Sequence, residues 1–171
     1  MYGDGHSFLR KFNPDRQEEF CQKKNLDRCY IGLAPTLQTV VNTYGTKLAE
    51  TWLEIQINNL QEYSAVKEKL TPLQIEAVGR TIITEYPHYK VTEFMHFFHM
   101  FKAGFFGKFY GTADSLVINE ALLKYGDIRK SIIADIYYRQ EKEKQERQFK
   151  ERQEEAISYE EWQELKYLFN M

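Results

Sequence analysis

Glycine and proline are scarce in this chain, which has nine glycines and four prolines among 171 residues. Because an all-β protein relies on these residues for its many tight turns, their scarcity argues against a β-sandwich or barrel. The net charge of −2 gives no overall attraction to nucleic acid or to an anionic membrane. A local basic patch remains compatible with this composition.

Cysteine is almost absent, since Cys21 and Cys29 are the only two. Without a CxxC pair, neither a zinc ribbon nor a disulfide framework is indicated, and two reduced thiols fit a reducing cytoplasm. Residues 1–12 contain no apolar stretch of signal-peptide length, and no run approaches the ~20 apolar residues of a membrane span. We therefore expect a cytoplasmic protein that is neither exported by a standard signal nor embedded in a membrane.

Motifs that carry catalysis are also missing. The chain has no GxSxG, no GxGxxG after a strand and no phosphate-binding loop ending in GK[ST], and the stretch Gly104–Lys108 lacks the rest of a Walker motif. Most carboxylates occupy the polar faces of amphipathic segments, where solvation explains them. We predict that the protein is not an enzyme, although a site assembled only in three dimensions would escape this argument.

Two Glu-x-x-His matches, Glu85 with His88 and Glu93 with His96, come closest to a metal-site pattern. Di-iron bundles place two such motifs on two different helices and add a carboxylate from each of two more. Here Pro87 interrupts the first match, and only four residues separate the two, so separate parallel helices cannot carry them. We predict neither a bound metal nor any other cofactor.

Aromatic residues, in contrast, make up 15% of the chain, and such large side chains favour a folded protein. We predict an all-α fold, because apolar residues recur at steps of three and four over most of the chain. The predicted parts are a loosely structured N-terminal segment over residues 1–35, a multi-helix bundle domain over 36–138, and a C-terminal part over 139–171. The first apolar stripe of the bundle is formed by Leu37, Val41, Tyr44, Leu48, Trp52 and Ile55.

Several helix boundaries can be located from capping residues. Thr36 is a candidate N-cap, and Gly45 is expected to mark a kink or a close helix crossing. Thr71-Pro72-Leu73-Gln74 combines an N-cap, a proline at the first helical position and a capping-box glutamine. After a stop at Pro87, the segment from Thr92 is apolar on nearly all sides, which predicts a helix in the middle of the bundle.

The C-terminal part has a different composition. Twelve of the seventeen residues 139–155 are charged, six of each sign, which predicts a solvated helix projecting from the bundle. Ser158-Tyr159-Glu160-Glu161 is a second capping box and opens a short amphipathic terminal helix. Trp162, Leu165 and Phe169 on this helix could dock into a partner's groove, or the helix could fold back onto the bundle.

The connector over residues 102–111 is the other candidate interaction surface. Its lysines could contact phosphates while its rings stack on unpaired bases. In the alternative interpretation, which we favour, the aromatic turn is buried and the glycines allow close packing, because four exposed aromatics are costly. The residues concerned are Lys102, Phe105, Phe106, Lys108, Phe109 and Tyr110.

A further pattern lies within residues 70–129. It comprises Phe101-Lys102-Ala103-Gly104, Gly107-Lys108-Phe109-Tyr110-Gly111, Asp114, Ile118, Leu122, Tyr125 and Arg129. This pattern resembles an uncharacterised protein family encoded by Bacteroidetes phages and integrative mobile elements. The resemblance implies an intracellular protein of a bacterial host cell that serves mobile-DNA propagation, and it supplies no catalytic residues. Phe105-Phe106 departs from the basic residue and tyrosine expected there, which weakens a nucleic-acid role.

These observations favour a non-catalytic accessory protein that acts as a protein–protein adaptor, with DNA replication as one process it could serve. The surfaces proposed for the unidentified protein partner are the terminal helix and the connector. A nucleic-acid-binding accessory protein that uses residues 102–111 is the alternative, and an enzyme with an unrecognised site is the third hypothesis. The sequence predicts no membrane partner and does not determine the oligomeric state.

Overall fold

Helices account for all the regular secondary structure in residues 3–22, 26–109, 111–156 and 158–169, the ranges that the computed structural model describes. The all-α prediction is therefore confirmed. In chain order the elements are α1 (Gly5–Lys11), a 3-10 turn (Pro14–Arg16), α2 (Gln17–Cys21), α3 (Leu26–Ile31), α4 (Leu37–Tyr44), α5 (Thr46–Tyr63), α6 (Pro72–Glu85), α7 (Val91–Lys102), α8 (Ser115–Glu155) and α9 (Tyr159–Phe169).

Three helix starts lie where the capping residues predict them. The Thr36 hydroxyl accepts a hydrogen bond from the Thr39 backbone N–H at 3.2 Å. At α6, the Thr71 hydroxyl and the Gln74 side chain satisfy each other's backbone N–H groups. Ser158 and Glu161 form the same reciprocal pair of hydrogen bonds at α9. Each cap satisfies N–H groups that a helix start leaves without a partner inside the helix.

Gly45 divides the helix expected to begin at Thr36 into α4 and α5. Its φ of +88° lies in the region that residues with a side chain rarely adopt, and its N–H still bonds to the Val41 carbonyl at 2.9 Å. A glycine is therefore required by the backbone conformation at this position rather than by close packing, since no atom lies within 4 Å of where its Cβ would be.

Helix α7 forms the centre of the fold. Ten of its twelve residues are buried, and helices α2, α3 and α5 pack against it. Aromatic contacts dominate the packing: the Trp52 and Phe94 rings meet edge to face at 6.2 Å, and the Phe97 ring lies 5.5 Å from that of Tyr125 on α8. The helix that is apolar on nearly all sides therefore lies inside the bundle, as its sequence predicts.

Residues 1–35 differ from the loosely structured segment that the sequence predicts. They contribute three short helices and the 3-10 turn, and Phe8, Phe12, Cys29 and Tyr30 are buried. Trp52 Nε1 also donates a hydrogen bond to the Phe12 carbonyl at 2.8 Å. Helices of seven, five and six residues are too short to show a convincing periodicity in sequence, which explains the difference.

The chain divides into two compact units, Met1–Lys130 and Ser131–Met171, and the division falls inside α8. The sequence placed the end of the bundle at residue 138. In the first unit, α8 contributes the buried residues Ile118, Ala121, Leu122 and Tyr125. In the second, residues 137–154 are exposed. Within the described ranges, no helix is long and apolar enough to cross a membrane.

Candidate functional site

One carboxylate lies fully inside the first unit. Glu93 on α7 is completely buried, and Oε2 accepts a hydrogen bond from the Lys90 backbone N–H at 2.6 Å while Oε1 accepts one from Arg129 Nε at 3.0 Å. The Arg129 guanidinium also lies 4.3 Å from the centre of the Tyr89 ring. Burial raises the pKa of Glu93, whereas the Lys90 N–H and Arg129 act to lower it. The Glu93 carboxylate therefore closes the first turn of α7 through the Lys90 N–H, and its ion pair with Arg129 joins α7 to α8.

Three buried side chains from three helices continue this polar cluster. Tyr125 Oη donates to the Glu93 carbonyl at 2.9 Å, and Tyr30 Oη lies 2.8 Å from Tyr125 Oη and 2.7 Å from His96 Nδ1. A carbonyl can only accept, so the Tyr125 hydrogen is used there and Tyr30 must donate to Tyr125. His96 then donates from Nδ1. The hydrogen bonds thus assign His96 the neutral Nδ1–H tautomer.

The ionisation of these groups suits a structural role. Burial raises the pKa values of Tyr30 and Tyr125 above that of a free tyrosine. Burial, with a smaller contribution from His99, lowers the pKa of His96 to about 4. All three side chains are therefore neutral near pH 7. A hydrogen-bonded chain that stays uncharged holds α3, α7 and α8 together and offers no acid or base poised for proton transfer at that pH.

The two cysteines are equally unreactive. Cys29 Sγ donates to the Thr92 carbonyl at 3.0 Å, and the Thr92 hydroxyl donates back to the Cys29 carbonyl at 2.6 Å. Burial raises the pKa of Cys21 to about 12, and it raises that of Cys29 as well. Because the thiolate is the nucleophile and the metal ligand, neither thiol is activated for such chemistry at neutral pH.

The Glu-x-x-His pairs do not come together as metal ligands. Glu93 and His96 are engaged in the buried cluster, and the side chains of Glu85 and His88 are exposed. In the part of the chain that the structure describes, no three His, Cys, Asp or Glu side chains lie close enough to hold a metal ion.

The connector that follows α7 is partly buried. Phe106 packs with ring centres 5.4 Å from Phe97 and 5.9 Å from Phe101. Phe109 is half-buried and stacks on Phe101 at 5.3 Å. Phe105 is 70% exposed, and Lys108 is exposed beside it. The predicted surface is therefore divided: Phe106 is buried and Phe109 is half-buried, whereas Phe105 and Lys108 are exposed. Tyr110 lies outside the described residues.

Lys102 points inward from the connector. Its Nζ donates to Gln17 Oε1 at 2.9 Å and to Asn59 Oδ1, and it lies 5.6 Å from the centre of the Tyr63 ring. Burial lowers the pKa of Lys102, although Asp15 acts in the opposite direction. Lys102, Lys108 and Phe109 nevertheless meet at one cleft of about 280 Å³, whose wall also includes Tyr63.

The terminal helix α9 is exposed along its whole length. Among the predicted docking residues, Trp162 is 45% exposed, Leu165 is 41% exposed and Phe169 is 86% exposed. The Trp162 ring stacks on Tyr159 at 6.0 Å and lies 5.0 Å from Lys166 Nζ, so local contacts alone shield part of it. None of the three docking side chains is buried in the fold.

Sequence reasoning missed several residues that make these sites. Gln17 and Asn59 hold Lys102, Tyr63 forms a wall of its cleft, and Tyr30 completes the buried cluster. Their separations along the chain range from tens of residues to more than eighty, and no periodicity links them. The one usable signal was Glu93, the acidic residue of a helix that is apolar on nearly all sides, which implies a buried partner.

The buried His96 makes stability depend on pH. In the unfolded chain a histidine has a pKa near 6.5, so lowering it to about 4 in the folded state gives stability that is present above pH 6.5 and lost as pH falls through 4. We expect the free energy of unfolding to decrease by about 3 kcal/mol between neutral pH and pH 4 from this group. Urea denaturation across this range, compared with His96→Asn, isolates the effect.

In that comparison, the asparagine can still donate to Tyr30 and does not titrate. Subtracting the pH profile of His96→Asn from that of the parent also removes the opposing contribution of Glu93 to the pH dependence of stability. The exposed His6→Gln serves as the matched control and should keep the parental profile. A difference between parent and His96→Asn that stays constant over the range would contradict the assignment of His96 as a buried neutral group.

Comparison with known proteins gives one match. A family model described as a family of unknown function, DUF6633, matches residues 72–170, which include α6, α7, the connector, α8 and α9. Neither the search of the curated proteins nor the search of the solved structures found a match. Since the match covers more than half of the chain, the protein belongs to the DUF6633 family, a family of unknown function.

Proposed function

We propose that the protein is a non-catalytic accessory protein of a phage or mobile element that binds a partner protein through α9. The observation that carries this proposal is that no residue of α9 is buried, including its apolar residues Trp162, Leu165 and Phe169. Apolar side chains spaced in this way, at i, i+3 and i+7, are the anchors of a helix that docks into a hydrophobic groove.

The helix is prepared for docking at its N-terminus. The Ser158 N–H donates to Glu161 Oε2 at 2.8 Å and the Glu161 N–H donates to Ser158 Oγ at 3.1 Å. An isolated helix of eleven residues is only marginally stable in water, so the cap favours the helical state that a groove would select. Binding therefore costs less ordering entropy than it would for an unstructured peptide.

Charge distinguishes the two faces of α9. Three glutamates and one lysine give α9 a net charge of −2, and Glu160 and Glu164 lie on the face opposite the apolar anchors. The proposed partner therefore offers an apolar groove to the anchors, and these two glutamates stay in solvent in the complex. A second copy of α9 is a poorer partner, because a helix about 16 Å long falls short of the ~800 Å² per partner of a stable interface.

The remaining parts of the proposal have separate support. The non-catalytic role is supported by the use of Glu93 and His96 in structural hydrogen bonds and by the raised pKa values of both cysteines. The mobile-element setting rests on the resemblance carried by residues 70–129. A cytoplasmic location in the bacterial host agrees with two free thiols.

The test begins with the photo-crosslinking residue benzoylphenylalanine in place of Phe169, in the native host. We expect a covalent adduct with one protein, which mass spectrometry identifies. Binding of that purified protein should then weaken by at least about a hundredfold in Trp162→Ala/Leu165→Ala, because buried anchors contribute about 2 kcal/mol or more each. Isothermal titration calorimetry measures the affinity, and thermal melting should be unchanged since α9 is exposed.

Two controls make the test specific. Tyr167 lies on the other face of α9 and is exposed, so Tyr167→Ala should retain parental affinity. The same crosslinker in place of Phe149, exposed within the charged part of α8, should give no adduct with that protein. Equal binding by the parent and the double variant would reject α9 as the docking element.

A further inference from the structure

The cleft between the end of α5 and the connector carries an excess of positive charge. Lys102 and Lys108 both line it, and none of its lining residues is acidic. Lys102 Nζ is bonded to the side-chain oxygens of Gln17 and Asn59, which are uncharged amides. Among the described residues no carboxylate forms an ion pair with Lys102. Asp15 favours the charge of Lys102 from a distance, but in the described part of the chain no carboxylate lines the cleft or pairs with this ammonium, so the cleft favours an anion.

The backbone of the connector leaves this cleft open. Gly104 and Gly107 have φ values of +86° and +96°, and no atom lies within 4 Å of the position where either Cβ would be. These glycines are thus not required for packing within the fold, although their conformation excludes most other residues. The N–H groups of both glycines already bond to carbonyls of the turn, at 2.9 Å for Gly104 and 3.3 Å for Gly107, but the absence of side chains lets a ligand approach the backbone closely.

Aromatic rings complete the cleft. Tyr63, at the end of α5, is 65% exposed, and its ring lies beside the Lys102 ammonium. Phe109 forms part of the same wall and is held by stacking on Phe101. Phe105, which is largely exposed, stands on the same connector. Positive charge next to accessible ring faces is the combination that proteins use for a phosphate and its attached base.

We propose that this cleft binds a nucleotide unit, with the phosphate on Lys102 and Lys108 and the base on the Tyr63 ring. The unit comes either from a free nucleotide or from single-stranded nucleic acid, which share this chemistry. The segment carrying Lys67 and Lys69 is hydrogen-bonded to Gly111, the last residue of the connector, so a longer strand passes close to this segment. Lys69 is paired with Glu62 at 3.8 Å, which leaves Lys67 as the additional contact.

Other clefts suit a nucleotide less well. The neighbouring one of about 380 Å³ shares Lys108 and Phe109 but is also lined by Asp114. A third cleft, of about 440 Å³ and mostly formed by the N-terminal segment, is lined by Lys11 and Arg28 together with Glu19. A carboxylate in the wall repels a phosphate, so the cleft that holds Lys102 remains the favoured site.

The experiment measures fluorescence anisotropy of a short labelled oligothymidylate with the full chain at several salt concentrations. We expect micromolar binding at physiological salt. Lys108→Glu should weaken it about tenfold or more and reduce the log–log salt slope by about one, because one phosphate contact is lost. Tyr63→Ala should weaken binding by between about fivefold and a hundredfold, as loss of a stacking ring does. Both residues are exposed, so the variants should fold.

Lys124→Glu is the matched control, since it makes the same charge change at an exposed position on α8 away from the cleft. Thymidine monophosphate and inorganic phosphate are added as competitors. If the cleft binds the monophosphate as tightly as it binds the oligomer, its ligand is a free nucleotide. If it binds the oligomer much more tightly, its ligand is single-stranded nucleic acid. The proposal is overturned if nothing binds, if phosphate competes as well as the monophosphate, or if Lys124→Glu weakens binding as much as Lys108→Glu.

Discussion

Replacing Arg129 with alanine should lower the free energy of unfolding by about 3–5 kcal/mol, a large effect for a single charged side chain. The reason is that Glu93 would remain completely buried without the cation that neutralises it. Removing one partner of a buried ion pair leaves an uncompensated charge, whose desolvation penalty is not repaid. Chemical denaturation followed by circular dichroism at neutral pH measures the change.

The same variant should show a characteristic dependence on pH. Burial already raises the pKa of Glu93, and loss of Arg129 removes an opposing effect, so this pKa should rise further. When the pKa of a carboxyl is higher in the folded than in the unfolded state, protonation stabilises the folded state. The loss of stability caused by Arg129→Ala should therefore shrink as pH falls. Adding Glu93→Gln should also recover stability at neutral pH, because glutamine needs no counter-charge.

Lys130→Ala is the matched control for this prediction. Lys130 is the next residue and pairs with Asp127 at 3.2 Å, but both side chains are largely exposed. An exposed pair of this kind contributes little, so we expect a change within about 0.5 kcal/mol. Similar losses for the two variants would show that the Glu93–Arg129 pair has no special role in the core.

The second large effect concerns two adjacent phenylalanines in the connector. Phe106→Ala should destabilise the protein by about 3–5 kcal/mol, because its ring is buried against Phe97 and Phe101 and its loss leaves a cavity. Phe105→Ala should change stability by less than about 0.5 kcal/mol, since that ring is 70% exposed. Urea unfolding measures the free energy of unfolding of the two variants. Because both substitutions are Phe→Ala, they differ in the burial of the ring that is removed.

The variants Phe105→Ala and Phe106→Ala also distinguish an effect on stability from an effect on binding within one segment. Phe105→Ala should leave a folded protein in which any contact made by the exposed ring is lost. Phe106→Ala should lose stability first, and any change in binding would follow from that loss. Equal destabilisation by the two substitutions would mean that the connector packs differently from the arrangement described above.

Local signals in the sequence predicted a good part of this fold. Thr36, Thr71 and Ser158 cap helices where expected, because a cap depends on residues three positions apart. The central position of α7 followed from its apolar residues alone. Gly45 was predicted to mark a kink or a close helix crossing, but the residue type alone could not show that its positive φ ends one helix and begins another.

Tertiary contacts explain what the sequence could not provide. The buried cluster joins Tyr30 to residues 66 and 95 positions away, and no local pattern links such distant residues. The sequence left open whether Lys102 contacts phosphates or belongs to a buried turn, and only the structure shows that its side chain is half-buried and donates to Gln17 and Asn59. Which of Phe105, Phe106 and Phe109 would face solvent likewise depended on the backbone turns at Gly104 and Gly107.

The extent of the family match has a consequence for α7. The match begins at residue 72, whereas helices α2, α3 and α5, which cover α7, all precede that residue. The shared region is therefore not self-sufficient: alone, it would present the aromatic sides of α7 to water. Any relative with an unrelated N-terminal half must supply a substitute cover, from its own chain or from another protein. In this chain the residues before the match therefore enclose a helix that the match itself contains.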